Sequence, residues 1–216
     1  MDCSALTQTD LHLIRMHGHI EEMDGVVIAR NPDNPGRYWS NFLLLPRAPQ
    51  ASELEPRVQQ ARRGFAGMDG NKHVMLRWDG DPLDDEAQSQ AKRLGLRWDG
   101  GLEMRATELL GRRSESVQVR PMDLNSDWDS ILRLNQLCDP TEGSGDPRYD
   151  AFKTAVRRDW KAWKKTRWWG AFVGDRLVGQ CGMVVCPDAR GRFQSVETHP
   201  EYRRRGVCST LIATVG

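Results

Sequence analysis

The sequence predicts an α/β chain, with mixed sheets, folded as two lobes. Three observations carry that prediction. The final stretch, SVETHPEYRRRGVCSTLIATVG from Ser195 to Gly216, reads as strand, turn and helix. Ahead of it, the runs Trp168 to Val173 and Arg176 to Val185 are split by Gly174-Asp175, a tight-turn pair between two strands. The first hundred or so residues alternate short apolar strands with amphipathic helices, the pattern of an α/β module. A polar stretch, GRRSESVQVR, separates the two regions and sets expected lobes of 1–110 and 111–216.

Taken in order, residues 1–22 suggest a helix or an ordered tail, with Leu6, Leu11, Leu13, Ile14 and Ile20 only loosely periodic. His12, His17 and His19 cluster there, but no acidic or cysteine partner is spaced to complete a metal site. Solvated histidines are the expectation, and no metal is expected. Val26 to Ala29 form a short strand, and NPDNPG is dense turn chemistry. Tyr38, Trp39 and Phe42 to Leu45 then read as a second strand closed by Pro46. Ser52 with Glu55 has the spacing of a capping box, and Leu54, Val58, Ala61 and Phe65 share one face of the helix it opens. Lys72 to Gly80 reads as a strand, and DDEAQSQAKRLG as a helix stopped at Gly95. LRWDGGLEMRATEL then suggests a further strand or hairpin. The string LRWDG occurs twice, from Leu76 and from Leu96, as two similarly built strand ends of one β-α-β unit. This module shows no catalytic constellation.

Composition narrows the function. The chain has 216 residues, 28% of them charged, and a net charge of only +1. That balance gives no global electrostatic case for nucleic acid. Cys3, Cys138, Cys181, Cys186 and Cys208 are odd in number and contain no C-x-x-C pair, which predicts reduced thiols in a cytoplasmic protein. No apolar run reaches the roughly 18 residues of a membrane span, and the N-terminus lacks a secretory pattern.

In the second lobe, VQVRPM is a strand, and Ser126 with Asp129 is a capping box opening a helix whose Trp128, Ile131, Leu132 and Asn135 share a face. CDPTEGSGDPRYD is turn-rich. AFKTAVRRDWKAWKKTRWW puts Phe152, Val156, Trp160 and Trp163 on one stripe and Lys153, Arg157, Arg158, Lys161, Lys164 and Lys165 opposite. A helix docked by its aromatic stripe, its cations in solvent, is the favoured reading; contact with nucleic acid or a membrane surface is the alternative. The hairpin, the PDARGR turn and a strand through Val196, Glu197 and Thr198 follow, and Pro200 ends that strand.

The junction beyond Pro200 carries the chemistry. The first amides of a helix lack internal partners and sit at the positive end of its dipole. Gly206 lets a ligand approach them closely, and Arg203, Arg204 and Arg205 add charge. Such a unit suits an anion, a pyrophosphate above all.

The stretch VETHPEYRRRGVCSTL resembles the acyl-CoA-binding motif of the GNAT superfamily of N-acetyltransferases, Arg/Gln-x-x-Gly-x-Gly/Ala after a strand. Arg203 matches its first position and Gly206 its glycine, while Cys208 stands where Gly or Ala is usual. The order of hairpin, third strand, Arg-rich turn and helix fits the same fold over about residues 116–216. The first lobe, from NPDNPGRYWSNFLLLPRAP to the RWDG strand, resembles the degenerate acetyltransferase-like half that precedes some bacterial GNAT domains.

The resemblance implies an acetyl transfer from acetyl-CoA to a small-molecule or peptide amine. Backbone of Val196, Glu197 and Thr198 would hold the pantetheine arm. The turn of Arg204, Arg205, Gly206, Val207, Cys208 and Ser209 would hold the pyrophosphate, with Arg203 beside it. Glu197 is the first candidate base and His199 the second. A strand N–H near Thr198 would polarise the thioester carbonyl. Glu197 and Thr198 cannot both turn their side chains into one site, since strand neighbours face opposite ways. The loop between the first two helices would lie over the acceptor. Family members continue past the helix that ends this chain, which predicts a C-terminally truncated second lobe, or else a first lobe that supplies the missing surface. A remnant that at most binds CoA, a protein or a nucleic acid, without turnover, is the alternative function.

Overall fold

A computed structural model describes residues 3–101, 103–109, 111, 113–138 and 147–216, and the side chains of all of these but 147–150. Its contacts divide the chain into two units, Met1–Met104 and Arg105–Gly216.

The first unit runs α1 (Ala5–Ile14), β1 (His19–Met23), β2 (Val26–Arg30), a 3-10 turn (Tyr38–Ser40), β3 (Phe42–Leu44), α2 (Ala51–Gly64), β4 (Leu76–Arg77) and α3 (Asp85–Arg93). The sheet order is β1-β2-β3-β4, antiparallel except for the β3–β4 pair. Helices cover both faces, so β2 and β3 are apolar at nearly every position rather than alternating. Val27, Ala29, Phe42 and Leu44 pack with Leu11 and Ile14 of α1. Val26, Ile28, Leu43 and Leu45 pack with Ala61 and Phe65 of the α2 end. Leu54 of α2 meets Ala87 and Ala91 of α3.

Several local expectations change. β1 was hidden in the sequence because HIEEM is almost wholly exposed and shows no alternation. His12 and His17 are half-buried rather than solvated, whereas His19 is exposed. Tyr38 and Trp39 lie in the 3-10 turn, not a strand. Buried Asn41 explains why: its Oδ1 accepts from the Asn31 amide (2.7 Å) and its Nδ2 donates to the carbonyls of Asn34 (2.9 Å) and Arg37 (2.8 Å), which curls the chain just before β3. α2 begins at Ala51, not after Ser52, because Gln50 and Glu53 form a reciprocal capping box and Arg47 grips Glu53 through two 2.9 Å bonds. Of Lys72 to Gly80 only Leu76–Arg77 pairs as strand. The second LRWDG forms no strand among the described residues; instead Trp98 stacks on Trp78, with centroids 5.1 Å apart at 14°.

The second unit runs β5 (Gln118–Met122), α4 (Trp128–Cys138), α5 (Pro147–Ala162), β6 (Thr166–Val173), β7 (Arg176–Cys186), β8 (Arg190–Thr198), a 3-10 turn (Pro200–Tyr202) and α6 (Val207–Val215). Its sheet is antiparallel in the order β5-β6-β7-β8. α4 starts two residues after Ser126. The Asp127 carbonyl accepts from Ser130 and Ile131 (both 3.1 Å), and the loop before it is set by the Asp123 carboxylate taking the Asn125 and Ser126 amides (2.7 and 3.1 Å). The 139–146 part of the expected acceptor loop lies outside the described residues.

Trp128 of α4, Trp160 of α5 and Trp168 of β6 form one aromatic wedge, with Trp160 and Trp168 stacked at 4.0 Å. Gly182 makes room for it, since a Cβ there would lie 2.9 Å from the Trp168 ring. Val156, Trp160 and Trp163 are buried, so α5 docks by its aromatic stripe. Two of its cations are also committed: Arg157 donates to the Leu124 carbonyl (2.6 Å) and Lys161 to Asn125 Oδ1 (2.7 Å). Among the described residues, no helix is long and apolar enough to cross a membrane.

Candidate functional site

The site grows from an interruption in β8. Its pairing with β7 runs from Cys186–Arg190 to Gly182–Gln194, then resumes one residue out of step at Gln180–Glu197 and Gly179–Thr198. Ser195 and Val196 therefore stand opposite Cys181 alone, a β-bulge, with Ser195 at a φ of +48°. β8 is also an edge strand, so its outer backbone faces no ladder among the described residues. Val196 is exposed, and Glu197 and Thr198 are half-buried.

Beyond Thr198 the chain turns. The His199 amide donates to the Val178 carbonyl (2.9 Å), and its ring caps the 3-10 turn by accepting the Glu201 amide at Nδ1 (3.2 Å). Nε2 faces the Arg176 guanidinium at 2.8 Å, and the residue is buried. Arg203 Nε donates back to the Thr198 carbonyl (3.3 Å). Arg204 and Gly206 then take left-handed conformations, φ +64° and +79°. Gly206 is the N-cap of α6, and its carbonyl accepts the Thr210 amide (2.9 Å), the Thr210 hydroxyl (2.8 Å) and the Ser209 hydroxyl (3.1 Å).

This geometry leaves a run of amides without an acceptor inside the fold. The N–H groups of Arg204, Arg205, Gly206, Val207, Cys208 and Ser209 find no acceptor among the described residues. Arg203, Arg204 and Arg205 are exposed around them, with the Arg205 guanidinium 5.4 Å from the Tyr202 ring. The Cys208 side chain is exposed too, so the residue presents its amide without filling the turn.

Packing fixes where the turn sits. Val207 is buried on Gly179 of β7, where a Cβ would lie 2.8 Å from Val207 Cγ1 and 3.1 Å from the Glu197 carbonyl oxygen. Thr210 accepts the Ser114 amide (2.8 Å), and Arg113 donates to the Ala213 carbonyl (2.9 Å), which clamps α6 from the segment ahead of β5. Because Gly179 meets α6, its neighbour Gln180 faces the other side of the sheet, where α4 lies.

On that side Glu197 accepts from Asn135 Nδ2 and from Gln180 Nε2 (2.8 Å). Both carboxamides are buried, and Asn135 Oδ1 and Gln180 Oε1 have no donor among the described residues. Cys138 Sγ donates to the Thr198 carbonyl at 3.4 Å. Burial and the Glu197 charge push the Cys138 thiol above its ordinary range, against a smaller opposing pull from Arg203.

The strand residues Val196 to Thr198 and the turn Arg203 to Ser209 are thus brought to one end of the sheet, while the His199 ring is taken up by the cap. Sequence reasoning missed Gln180, Cys138 and Arg176, and placed Asn135 on a helix face without giving it a role. Two signals existed: an asparagine among the apolar positions of α4 and a glutamine inside the apolar strand β7.

A mixed α/β unit whose edge strand leads through a cationic, glycine-opened turn into a helix N-terminus can hold an extended ligand with an anionic end. Residues 128–215, within the second unit, match the Acetyltransferase (GNAT) family. A functionally unknown conserved protein of Staphylococcus epidermidis has a similar fold, with a TM-score of 0.72 and 14% identity over 93% of this chain and 79% of its own. A GCN5-related N-acetyltransferase from Kribbella flavida is similar with a TM-score of 0.55 and 13% identity, over 99% of this chain and 80% of its own. These two likenesses extend over both units and concern the fold alone. No curated protein matches the sequence.

Proposed function

We propose that the chain is an acyl-CoA-dependent N-acyltransferase that moves an acetyl group from acetyl-CoA to the amine of a small molecule or peptide. The observation that carries the reading is the run of six amides from Arg204 to Ser209, without acceptors among the described residues, set beside three exposed arginines in the stretch that matches the GNAT family. These amides suit the pyrophosphate. The outer edge of β8 at Val196, Glu197 and Thr198, which pairs with no strand among the described residues, suits the amide groups of the pantetheine arm, which would add to it as a strand does.

In the reaction the neutral amine attacks the thioester carbonyl. The C–N bond forms, the C–S bond breaks, and the leaving CoA thiolate takes up the proton that the newly acylated nitrogen loses. The proton shed by the acceptor ammonium goes to Glu197. Asn135 and Gln180 are positioning residues, holding the Glu197 carboxylate through one oxygen. Proton transfer is assigned to Glu197 rather than to His199, because both ring nitrogens of His199 already face donors. A backbone N–H beside the bulge, near Thr198, would stabilise the developing oxyanion.

Thermal unfolding with and without acetyl-CoA tests the donor. A ligand at about 100 times its dissociation constant adds roughly 2.7 kcal/mol if it binds only the folded form. Release of free CoA thiol across an amine panel tests turnover. Glu197→Gln should keep the thermal shift and lower turnover by roughly 10² to 10⁴. A cooperative transition that acetyl-CoA leaves in place overturns the reading, and a shift without turnover supports the binding-only alternative.

A further inference from the structure

We propose that the first unit carries a second ligand site, for an aromatic anion, in the cleft between α2, the segment 71–78 and the segment 94–99. The inference stands apart from the acyl-transfer reading, because every residue it uses lies in the first unit.

The cleft encloses about 970 Å³, within the range of small-molecule sites. Its floor is apolar, with buried Leu54, Phe65 and Leu83. Its walls are aromatic. The stacked Trp78–Trp98 pair stands in one wall, and Trp78 is oriented by its Nε1–H to the Asp81 carbonyl (2.9 Å). Tyr38 and Trp39 stand elsewhere on the lining, 57% and 62% exposed. Large aromatics left in water at the mouth of an apolar cleft mark a contact surface.

The rim is cationic and short of acceptors. Arg62, Lys72 and Arg97 line the cleft against one carboxylate, Asp99, and none of the three has a hydrogen-bond or ion-pair partner among the described residues. Asn71, in the same lining, accepts the His73 amide at its Oδ1 (2.9 Å), and its Nδ2 has no acceptor among the described residues. A ring bearing a carboxylate or a phosphate satisfies both features. The ring buries against the indoles and the floor, and the anion reaches the guanidinium groups, which bind such groups in a planar, two-pronged way.

The test uses the full chain and three probes that share one ring: 2-naphthoate, 2-naphthyl phosphate and the neutral 2-naphthalenemethanol, titrated by calorimetry. At least one anion should bind saturably and at least tenfold more tightly than the alcohol. Arg62→Ala/Arg97→Ala, at two exposed positions, should cost that anion roughly tenfold or more, the worth of one charge-assisted contact. The better anion tells a carboxylate ligand from a phosphate one. Trp98→Ala should weaken all three probes, a readout that the arginine pair does not share. Equal binding of the alcohol and the anions, no saturable binding of either anion, or unchanged anion binding in the arginine variant would each overturn the proposal.

Discussion

Gly179→Ala puts the mounting of the α6 N-terminus under direct test. The new Cβ would stand 2.8 Å from Val207 Cγ1 and 3.1 Å from the Glu197 carbonyl oxygen. Carbon atoms pack comfortably at about 3.5–4.0 Å, so α6 or β8 must yield by several tenths of an ångström. Overpacking of this kind costs about 1–3 kcal/mol. Replacing a glycine gains back about 0.4–1 kcal/mol through the unfolded chain, which leaves a net loss between about 0 and 2.6 kcal/mol. Val207→Ala alone removes two buried carbons and should cost about 1.6 kcal/mol, plus a cavity term. In the double variant the clash with Cγ1 is gone, so its cost should fall short of the sum by at least about 0.5 kcal/mol. Urea unfolding of the four proteins, with midpoints and slopes compared, measures that coupling. Single costs that add to within about 0.3 kcal/mol would refute the packing argument. If the geometry holds, Gly179→Ala should also reduce the thermal shift by acetyl-CoA, since it displaces the turn amides.

Further outcomes follow from the charges. The Cys181 thiol is pushed up to about 12, first by burial and then by Cys208, from an ordinary value of 9.0. The unfolded chain therefore loses this proton first, and the native state should lose about 1.4 kcal/mol per pH unit above pH 9, a slope that Cys181→Ala removes in urea titrations. Cys138 should react slowly with iodoacetamide at pH 8. Glu197→Gln, by removing a charge that holds the thiol up, should speed the reaction, and Arg203→Ala should slow it; the reverse order would count against the proximity of these groups. Burial pushes the Asp79 carboxyl up, but the Ser4 amide, the Thr7 hydroxyl and Arg77 outweigh it and hold the group below its ordinary range. Its contribution is present above that range and is lost as pH falls, so Asp79→Asn should destabilise the chain more at pH 7 than at pH 3.

The periodic elements were legible because their signals are local. The β6–β7 hairpin needs only two apolar runs and Gly174-Asp175, and α3 needs only its face, Asp84 and Gly95. The strand, Arg-rich turn and helix from Ser195 to Gly216 were legible for the same reason, as was the resemblance they carry. What could not be read locally was a matter of competition between partners. Two capping boxes stood two residues apart, and Arg47 beside Glu53 decided for Gln50 over Ser52. Two LRWDG strings promised two strands, but β3 offered an edge to only one, and the other tryptophan took the stacking position instead. Nor could any short stretch show that the His199 ring faces Arg176 and the Glu201 amide. The sequence by itself determined the order of elements in the second unit and a cationic turn with its glycine. Tertiary structure alone decided that Asn135 and Gln180, distant along the chain, both reach Glu197, and that a bulge opposite Cys181 shifts the register beside it. The physical reason is that a hydrogen-bond partner across a sheet is chosen by register and packing, and neither is written into any short stretch of residues.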